Sequence, residues 1–546
     1  MQTKVLVLFS AFVLLGCQHS GTVIINPEYD ESNTTSIQIS KIELRDTATI
    51  LFMDAYNRPN TWIRIASGSV LKGAQHRYKL IGSEGFDLDK EVYMPESGSV
   101  SFRLFFEPVD VQEKHIDFME GESSGDFKIS GIKLYTVKET KKAIQCVLKG
   151  EVVDRPHSSR LVLTRDGEDH RSIKAVYIPI RDGKFAYTLH CDAEESYELS
   201  FFDELMNGAW RPIPFISESG TMNFRLYSED KADDNEIKGG PLNKERALIT
   251  AKEHEGYKLL TDERDILVAE GRYYSKEEME LRGRIEELEM EDPAREGLIE
   301  KYQALRKEGK HLSEEGAAWN KKWVSLTEDM YEMKVQYARE NPGIVGYTIL
   351  IREMRLAMQY AEMPNAPVLD MITLVDLYTN IYKDKYPNHP YTAHVEKTLV
   401  GESVVVGMPY IDVVAENRDG QDVKLSDLIG GKVAMIHLWA SWCGPCRWYG
   451  MELIPIYEQY KDRGFTVVGI ARENNREAMM HARNQDAYPW QDLLELRDKN
   501  AIWMKYGIHN AAGGNFLVDA QGKILATSPT IEEVRKILGD IYKETK

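Results

Sequence analysis

The stretch His437–Gly450 reads HLWASWCGPCRWYG, and it sets Cys443 and Cys446 three positions apart in a chain with five cysteines. A structural zinc site takes four ligands, and one Cys-x-x-Cys supplies two. No second such pair stands in the chain, so no metal is expected. A staple closing so short a loop would constrain the unfolded chain little. The flanking residues favour reversible exchange. VAMIHLWA (433–440) reads as a buried strand, and CRWYGMELIPIYEQYKD (446–462) as a helix. At a strand-to-helix junction, unpaired N–H groups and the helix dipole stabilise a thiolate on Cys443. Pro445 suits the first turn, where its missing N–H costs nothing. Cys446 falls one turn on, on the same face, within reach of a mixed disulfide formed at Cys443.

Working outward, GMPYIDVVAENRDGQDVKLSDLIGGK (407–432) reads as a hairpin turning at Asp419-Gly420, then a short turn. After the cysteine helix come strand FTVVGIAR, helix NREAMMHARNQ and a variable stretch. Helix NAIWMKYG, strand NFLVDA, strand KILATS and helix TIEEVRKILGDIY complete the chain. This alternation predicts a mixed central sheet with helices on both faces over 401–546.

Four segments here, KVAMIHLWASWCGPCRWY, KDRGFTVVGIAR, YGIHNAAGGNFLVDAQGKI and the hairpin before them, resemble the TlpA-like or ResA-like branch of the thioredoxin family. The resemblance implies an α/β thioredoxin fold and thiol–disulfide oxidoreductase activity. Cys443 would be the attacking thiol at the exposed mouth of the helix, Cys446 the resolving thiol, and the two a redox-active disulfide. Trp442 would pack beside them. Gly444-Pro445 is the dipeptide of reducing thioredoxins, which implies a reductase. No bound cofactor is implied. The electrons would come from an upstream thioredoxin or a membrane thiol reductase.

Three positions depart from the family pattern. His437 stands where many members carry a buried acid, and Tyr449 where ResA-like members carry a glutamate. His437 reads either as the replacement proton carrier, its reference pKa of about 6.5 being suitable, or as a neutral core histidine. Gly513 stands where the family has a cis-proline facing the active site, so Ala512 and Gly513 form the expected substrate-facing loop. A cis bond before a non-proline residue costs about 3–4 kcal/mol, so Ala512–Gly513 is expected trans. Either the groove is rebuilt around glycine or exchange is weakened.

Upstream, residues 35–140 and 141–238 alternate in strand style, as in SIQISKIEL, SVSFRLFFEP and QCVLKGEVV. Both read as all-β, sandwich-like domains. The second resembles the uncharacterised module often placed before such thioredoxins in lipoproteins of Gram-negative anaerobes. Its Cys146 and Cys191 read as a disulfide or as two buried thiols. From 239 to 400 the chain turns rich in Glu, Lys, Leu, Met and Tyr. Leu281, Ile285 and Leu288 share one helix face, which indicates an α-helical domain.

Residues 1–16 carry Lys4 and then the apolar run Val5–Leu15, too short to span a bilayer but suited to a signal peptide. LLGC resembles a bacterial lipobox, with Leu15 in place of the usual small residue. Cys17 is thus the expected lipidation site, and polar residues 17–34 read as a tether. No acid follows Cys17 directly, which by resemblance to lipoprotein sorting favours the periplasmic face of the outer membrane. The net charge of −19 argues against nucleic-acid binding, which needs clustered cations.

The expectation is a multidomain envelope lipoprotein: two β-domains, a helical domain and a thioredoxin domain that reduces disulfides of envelope proteins. The rival is a binding or scaffolding lipoprotein whose thioredoxin domain is weakly active. A peroxidase is a third reading, but HLWASWC holds the place of the usual Pro-x-x-x-Thr-x-x-Cys.

Overall fold

A computed structural model of the chain describes residues 22–123, 125–135, 144–169, 171, 175–288, 293–361, 363–508 and 513–543. The signal-like segment, Cys17 and Ala512 lie outside them. The chain divides into two compact units. The first holds residues up to 141 together with 156–159, and the second holds the rest.

The first unit is all-β. Nine strands form one hydrogen-bonded order, paired antiparallel throughout. The long strand Arg77–Glu84 serves both halves. Its start pairs with Val70–Lys72 and its end with Ser99–Phe106, across a bulge between Leu80 and Gly82. Bulges bend strands, and this one turns the sheet around a core that includes Ile42, Leu51, Leu104, Phe106 and Phe118. Residues expected in the tether belong to this sheet. Thr22–Ile25 pairs with Ile37–Leu44, and Glu31–Ser32 with the strand Lys128–Lys133. The correction has a simple cause: Thr-Val-Ile-Ile is a β-branched run, and it buries Ile24.

The second unit begins with two four-stranded sheets packed face to face on Leu148, Leu161, Phe215 and Phe224. Cys146 and Cys191 lie in this core and are not disulfide-bonded, which fits the reading of two buried thiols. The helices follow. Ser275 and Ser313 cap two of them by accepting backbone N–H groups. Buried Lys334 is held by Glu253 at 2.9 Å and Glu353 at 2.6 Å, which balances its charge. Tyr391, in the helix Pro390–Gly401, accepts the Ser196 N–H of the sandwich at 2.5 Å. Arg355 pairs with Asp166 of the sandwich at 2.6 Å.

The thioredoxin domain holds a seven-stranded sheet. Its order is Asp422–Lys424, Val414–Glu416, Gln491–Leu496, Phe465–Glu473, Val433–Trp439, Gly514–Val518, Ile524–Thr527. Gln491–Leu496 lies in the stretch left unassigned from sequence. Val433–Trp439 is buried at every position. A side chain on Gly401 would meet the Met504 carbonyl at 2.4 Å, so the helix Pro390–Gly401 packs directly on the helix Ile502–Lys505. Among the described residues, no helix is long and apolar enough to cross a membrane.

Candidate active site

Strand Val433–Trp439 runs into a tight turn, Ala440–Cys443, closed by the Cys443 N–H donating to the Ala440 carbonyl at 3.1 Å. Helix Gly444–Tyr460 follows, with Cys443 as its N-cap. The Cys446 N–H donates to Cys443 Sγ at 3.3 Å, and the two cysteines are joined as a disulfide with Cα atoms 5.3 Å apart. This is the geometry that stabilises a thiolate on Cys443 once the pair is reduced. The expected exposed mouth is not there: Cys443 is 4 % exposed and Cys446 5 %. Exposure therefore does not tell the two apart; the N–H aimed at Cys443 Sγ does. Trp442 packs near Trp503, ring centroids 6.2 Å apart, and the Arg171 guanidinium of the sandwich lies 4.3 Å from the Trp442 ring.

Gly513 adopts φ +62°, a conformation costly to any residue with a side chain. A Cβ there would meet the Leu438 carbonyl oxygen at 2.4 Å and Cys446 Sγ at 2.7 Å. The chain passes so close to the pair because this position is glycine.

His437 is fully buried in the central strand, its Nδ1 2.7 Å from Asn515 Oδ1. Burial lowers its pKa to about 4. Burial thus disfavours its charged form. Tyr449 donates to the Pro529 carbonyl at 2.7 Å, and burial pushes its hydroxyl well above the usual range.

Three buried carboxyls, one on the adjacent strand Phe465–Glu473 and two on the next strand out, Gln491–Leu496, went unnoticed in the sequence. Glu473 accepts the Ser441 N–H and, at 3.0 Å, the Ser441 hydroxyl, which ties it beneath the turn that presents Cys443. Burial raises its pKa to about 7 against those two hydrogen bonds. Asp492 accepts from Arg483 Nε at 2.8 Å and Trp439 Nε1 at 3.2 Å, and burial raises it to about 6. Glu495 accepts the N–H groups of Asn500 and Ile502 and is raised, again by burial, to about 7. The available signal was an acid inside an apolar strand, as in QDLLEL.

These carboxyls hold protons more tightly folded than unfolded. Their stabilising share is complete below about pH 4, the unfolded carboxyl range, and is lost as pH rises through about 6 to 7. His437 has the opposite sign: its share is complete above its unfolded pKa of 6.5 and is lost as pH falls toward about 4. Glu473→Gln cannot ionise and should flatten the loss of stability between pH 5 and 7.5. Protection of strand Val433–Trp439 from amide exchange in the full chain, corrected for the chemical rate, reads this out. Equal slopes in variant and parent would refute it.

Residues 406–527 match the AhpC/TSA family. The thiol-disulfide oxidoreductase ResA of Bacillus anthracis is 24 % identical over 143 residues, covering 26 % of this chain and 75 % of ResA. A probable phospholipid hydroperoxide glutathione peroxidase of Mesembryanthemum crystallinum is 30 % identical over 156 residues, covering 23 % of this chain and 91 % of that protein. The solved thioredoxin domain of a thiol-disulfide oxidoreductase from Bacteroides vulgatus is 25 % identical, with TM-score 0.24, covering 26 % of this chain and 99 % of that one. With its Cys-x-x-Cys disulfide at the start of a helix, the C-terminal domain of this chain belongs to the AhpC/TSA group of the thioredoxin family and is a ResA/TlpA-like thiol–disulfide oxidoreductase domain.

Proposed function

We propose that this chain reduces disulfides of cell-envelope proteins through Cys443 and Cys446. The observation that carries the reading is the pair itself: a disulfide at a helix start with a backbone N–H aimed at Cys443 Sγ. The Cys443 thiolate attacks a substrate disulfide, forms a mixed disulfide and expels one substrate thiolate. The Cys446 thiolate then attacks Cys443 Sγ and releases the second. Two electrons pass to the substrate, and the pair ends oxidised. An upstream dithiol, from a thioredoxin or a membrane thiol reductase, reduces it again. Gly444-Pro445 supports the reducing direction. The test is the reduction potential of the pair: a value near the roughly −270 mV of thioredoxin supports reduction, and one near the roughly −120 mV of a strong oxidant refutes it.

Two other readings each rest on an observation. The burial of both cysteines favours the scaffolding lipoprotein with a weakly active domain. The 30 % identity to a glutathione peroxidase favours peroxide reduction. Consumption of hydrogen peroxide faster than reduction of a protein disulfide would select the latter.

The anchor is part of the proposal. A lipid on Cys17 holds the protein to a membrane, at the periplasmic face of the outer membrane, as LLGC after a short apolar run suggests. Cys17→Ala should move the protein from the membrane to the soluble fraction. An unaltered protein that is already soluble and carries no lipid would rule the anchor out.

A further inference from the structure

Ser441 lies two residues before Cys443, in the turn that joins strand Val433–Trp439 to the cysteine helix. Charged side chains from two elements hold it. Strand Val433–Trp439 runs parallel to Phe465–Glu473, with Trp439 opposite Ala471. Two residues further along both chains, Ser441 meets Glu473. One carboxyl oxygen of Glu473 accepts the Ser441 N–H, and the other accepts the Ser441 hydroxyl at 3.0 Å. The Ser441 carbonyl faces Arg447, whose Nη1 lies 3.5 Å away, one turn into the helix. Both side chains are themselves fixed. Glu473 is 1 % exposed, and its own carbonyl accepts the Arg497 N–H at 2.6 Å. Arg447 donates to Asp486 from Nε at 2.8 Å and from Nη2 at 2.6 Å, and Nη2 also donates to Gln485 at 3.1 Å.

A buried carboxyl is costly, and an apolar side chain would fill the same place without that cost. What the carboxyl does, and an apolar residue would not, is fix one peptide N–H and one hydroxyl at a single spot. That spot sits inside the turn that aims Cys443. The turn closes when the Cys443 N–H donates to the Ala440 carbonyl at 3.1 Å, and the helix begins when the Arg447 N–H donates to the Cys443 carbonyl at 3.0 Å. Ser441 lies between Ala440 and Cys443, so its orientation sets theirs.

The hold matters most when the pair is reduced. In the disulfide, the S–S bond itself keeps Cys443 against Cys446. In the dithiol that bond is gone. The Cys443 sulfur then stays at the helix N-cap only while the turn keeps it there. Its stabilisation as a thiolate depends on the Cys446 N–H pointing at Sγ, 3.3 Å away in the oxidised pair, and hydrogen bonds weaken steeply when misaligned.

We propose that Glu473 is a positioning residue for thiol–disulfide exchange: through its two hydrogen bonds to Ser441, with Arg447 on the Ser441 carbonyl, it holds the reduced Cys443 sulfur at the helix N-cap, where the thiolate is stabilised. Glu473 acts through Ser441 rather than on the sulfur itself. The proposal rests on exchange at Cys443 and is independent of which disulfides the chain reduces.

The test uses the full chain with its pair reduced. Cys443 is alkylated with iodoacetamide across about pH 4 to 10, a range that brackets cysteine thiols, and the modified site is identified by mass spectrometry. The profile gives the fraction of Cys443 present as thiolate, which a merely structural role would not move. Glu473→Ala removes both hydrogen bonds, and the thiolate fraction at neutral pH should fall about fivefold or more. Glu473→Gln keeps an acceptor for the Ser441 N–H and offers an amide donor to the hydroxyl, so it should stay within about twofold of the parent. Ser441→Ala gives up the hydroxyl bond alone and should fall about twofold to threefold, and Ser441→Thr should restore it. A Glu473→Ala chain with the parental profile would overturn the proposal. So would a Glu473→Gln chain displaced as far as Glu473→Ala, because the charge and not the hydrogen bonds would then act. If Glu473→Ala does not fold, the Ser441 variants decide: a parental profile in Ser441→Ala, or no recovery in Ser441→Thr, overturns it. Alkylation needs no substrate, so the two failures separate. If the chain reduces no disulfide yet the variants fall in the expected order, the exchange reading fails and the positioning stands. If it reduces a model disulfide and the profiles coincide, the positioning fails and the exchange reading stands.

Discussion

Cys446→Ser should accumulate covalent complexes with disulfide-bearing envelope proteins, while Cys443→Ser should trap almost none. Cys443 caps the helix and receives the Cys446 N–H on its sulfur, so its thiolate is the stabilised one. Without a thiol at 446, a mixed disulfide at Cys443 has no internal attacker. The trapped fraction should exceed that of the Cys443→Ser variant by tenfold or more, about 1.4 kcal/mol in relative terms. Non-reducing gels of cell extracts should show heavier bands that collapse on adding reductant. Equal trapping by both variants would reverse or dissolve the assignment. That outcome has a physical basis to fear, because the two cysteines are equally buried. If neither variant traps and the dithiol leaves a model disulfide intact, the scaffolding reading takes over.

Gly513→Ala should destabilise the thioredoxin domain and slow exchange. Two costs add. The residue would have to keep φ +62°, at about 1–2 kcal/mol. Its Cβ would also press on the Leu438 carbonyl oxygen at 2.4 Å and on Cys446 Sγ at 2.7 Å. Overpacking of this kind costs about 1–3 kcal/mol, and a backbone oxygen yields little. The sum is about 2–5 kcal/mol of domain stability. The displaced Cys446 sulfur should cut the rate of reduction of a model disulfide at least about tenfold. Gly513→Pro should be no milder, although proline is the residue the family carries there. Proline holds φ near −65°, so it cannot occupy this backbone without rearranging the loop. Amide exchange of strand Val433–Trp439 and a stopped-flow reduction assay measure the two effects. A folded Gly513→Ala variant with parental rate and stability would show that the loop does not govern the pair.

The redox pair and the helix that carries it were legible because their signals are local. An apolar run, a Cys-Gly-Pro-Cys and a 3.6-residue pattern lie within thirty residues of one another. Strand Gln491–Leu496 was not legible, because Asp492 and Glu495 interrupt its apolar pattern, and only the sheet shows that both are buried. Thr22–Ile25 was too short to declare itself before its partner Ile37–Leu44 was known.

Its sequence alone shows a Cys-Gly-Pro-Cys at a strand-to-helix junction and an order of β, β, helical and α/β segments, and by resemblance to the thioredoxin family implies the redox chemistry and the fold of its last quarter. The junction and the segment order follow from residue type and spacing along a few turns of chain. Tertiary structure alone decides that His437 is buried and its pKa lowered, that Glu473 braces the turn before Cys443, and that Gly513 passes against Cys446 Sγ. The physical reason is that burial and close approach are properties of the packed chain: desolvation sets the pKa values, and only folding brings distant atoms within a few ångströms.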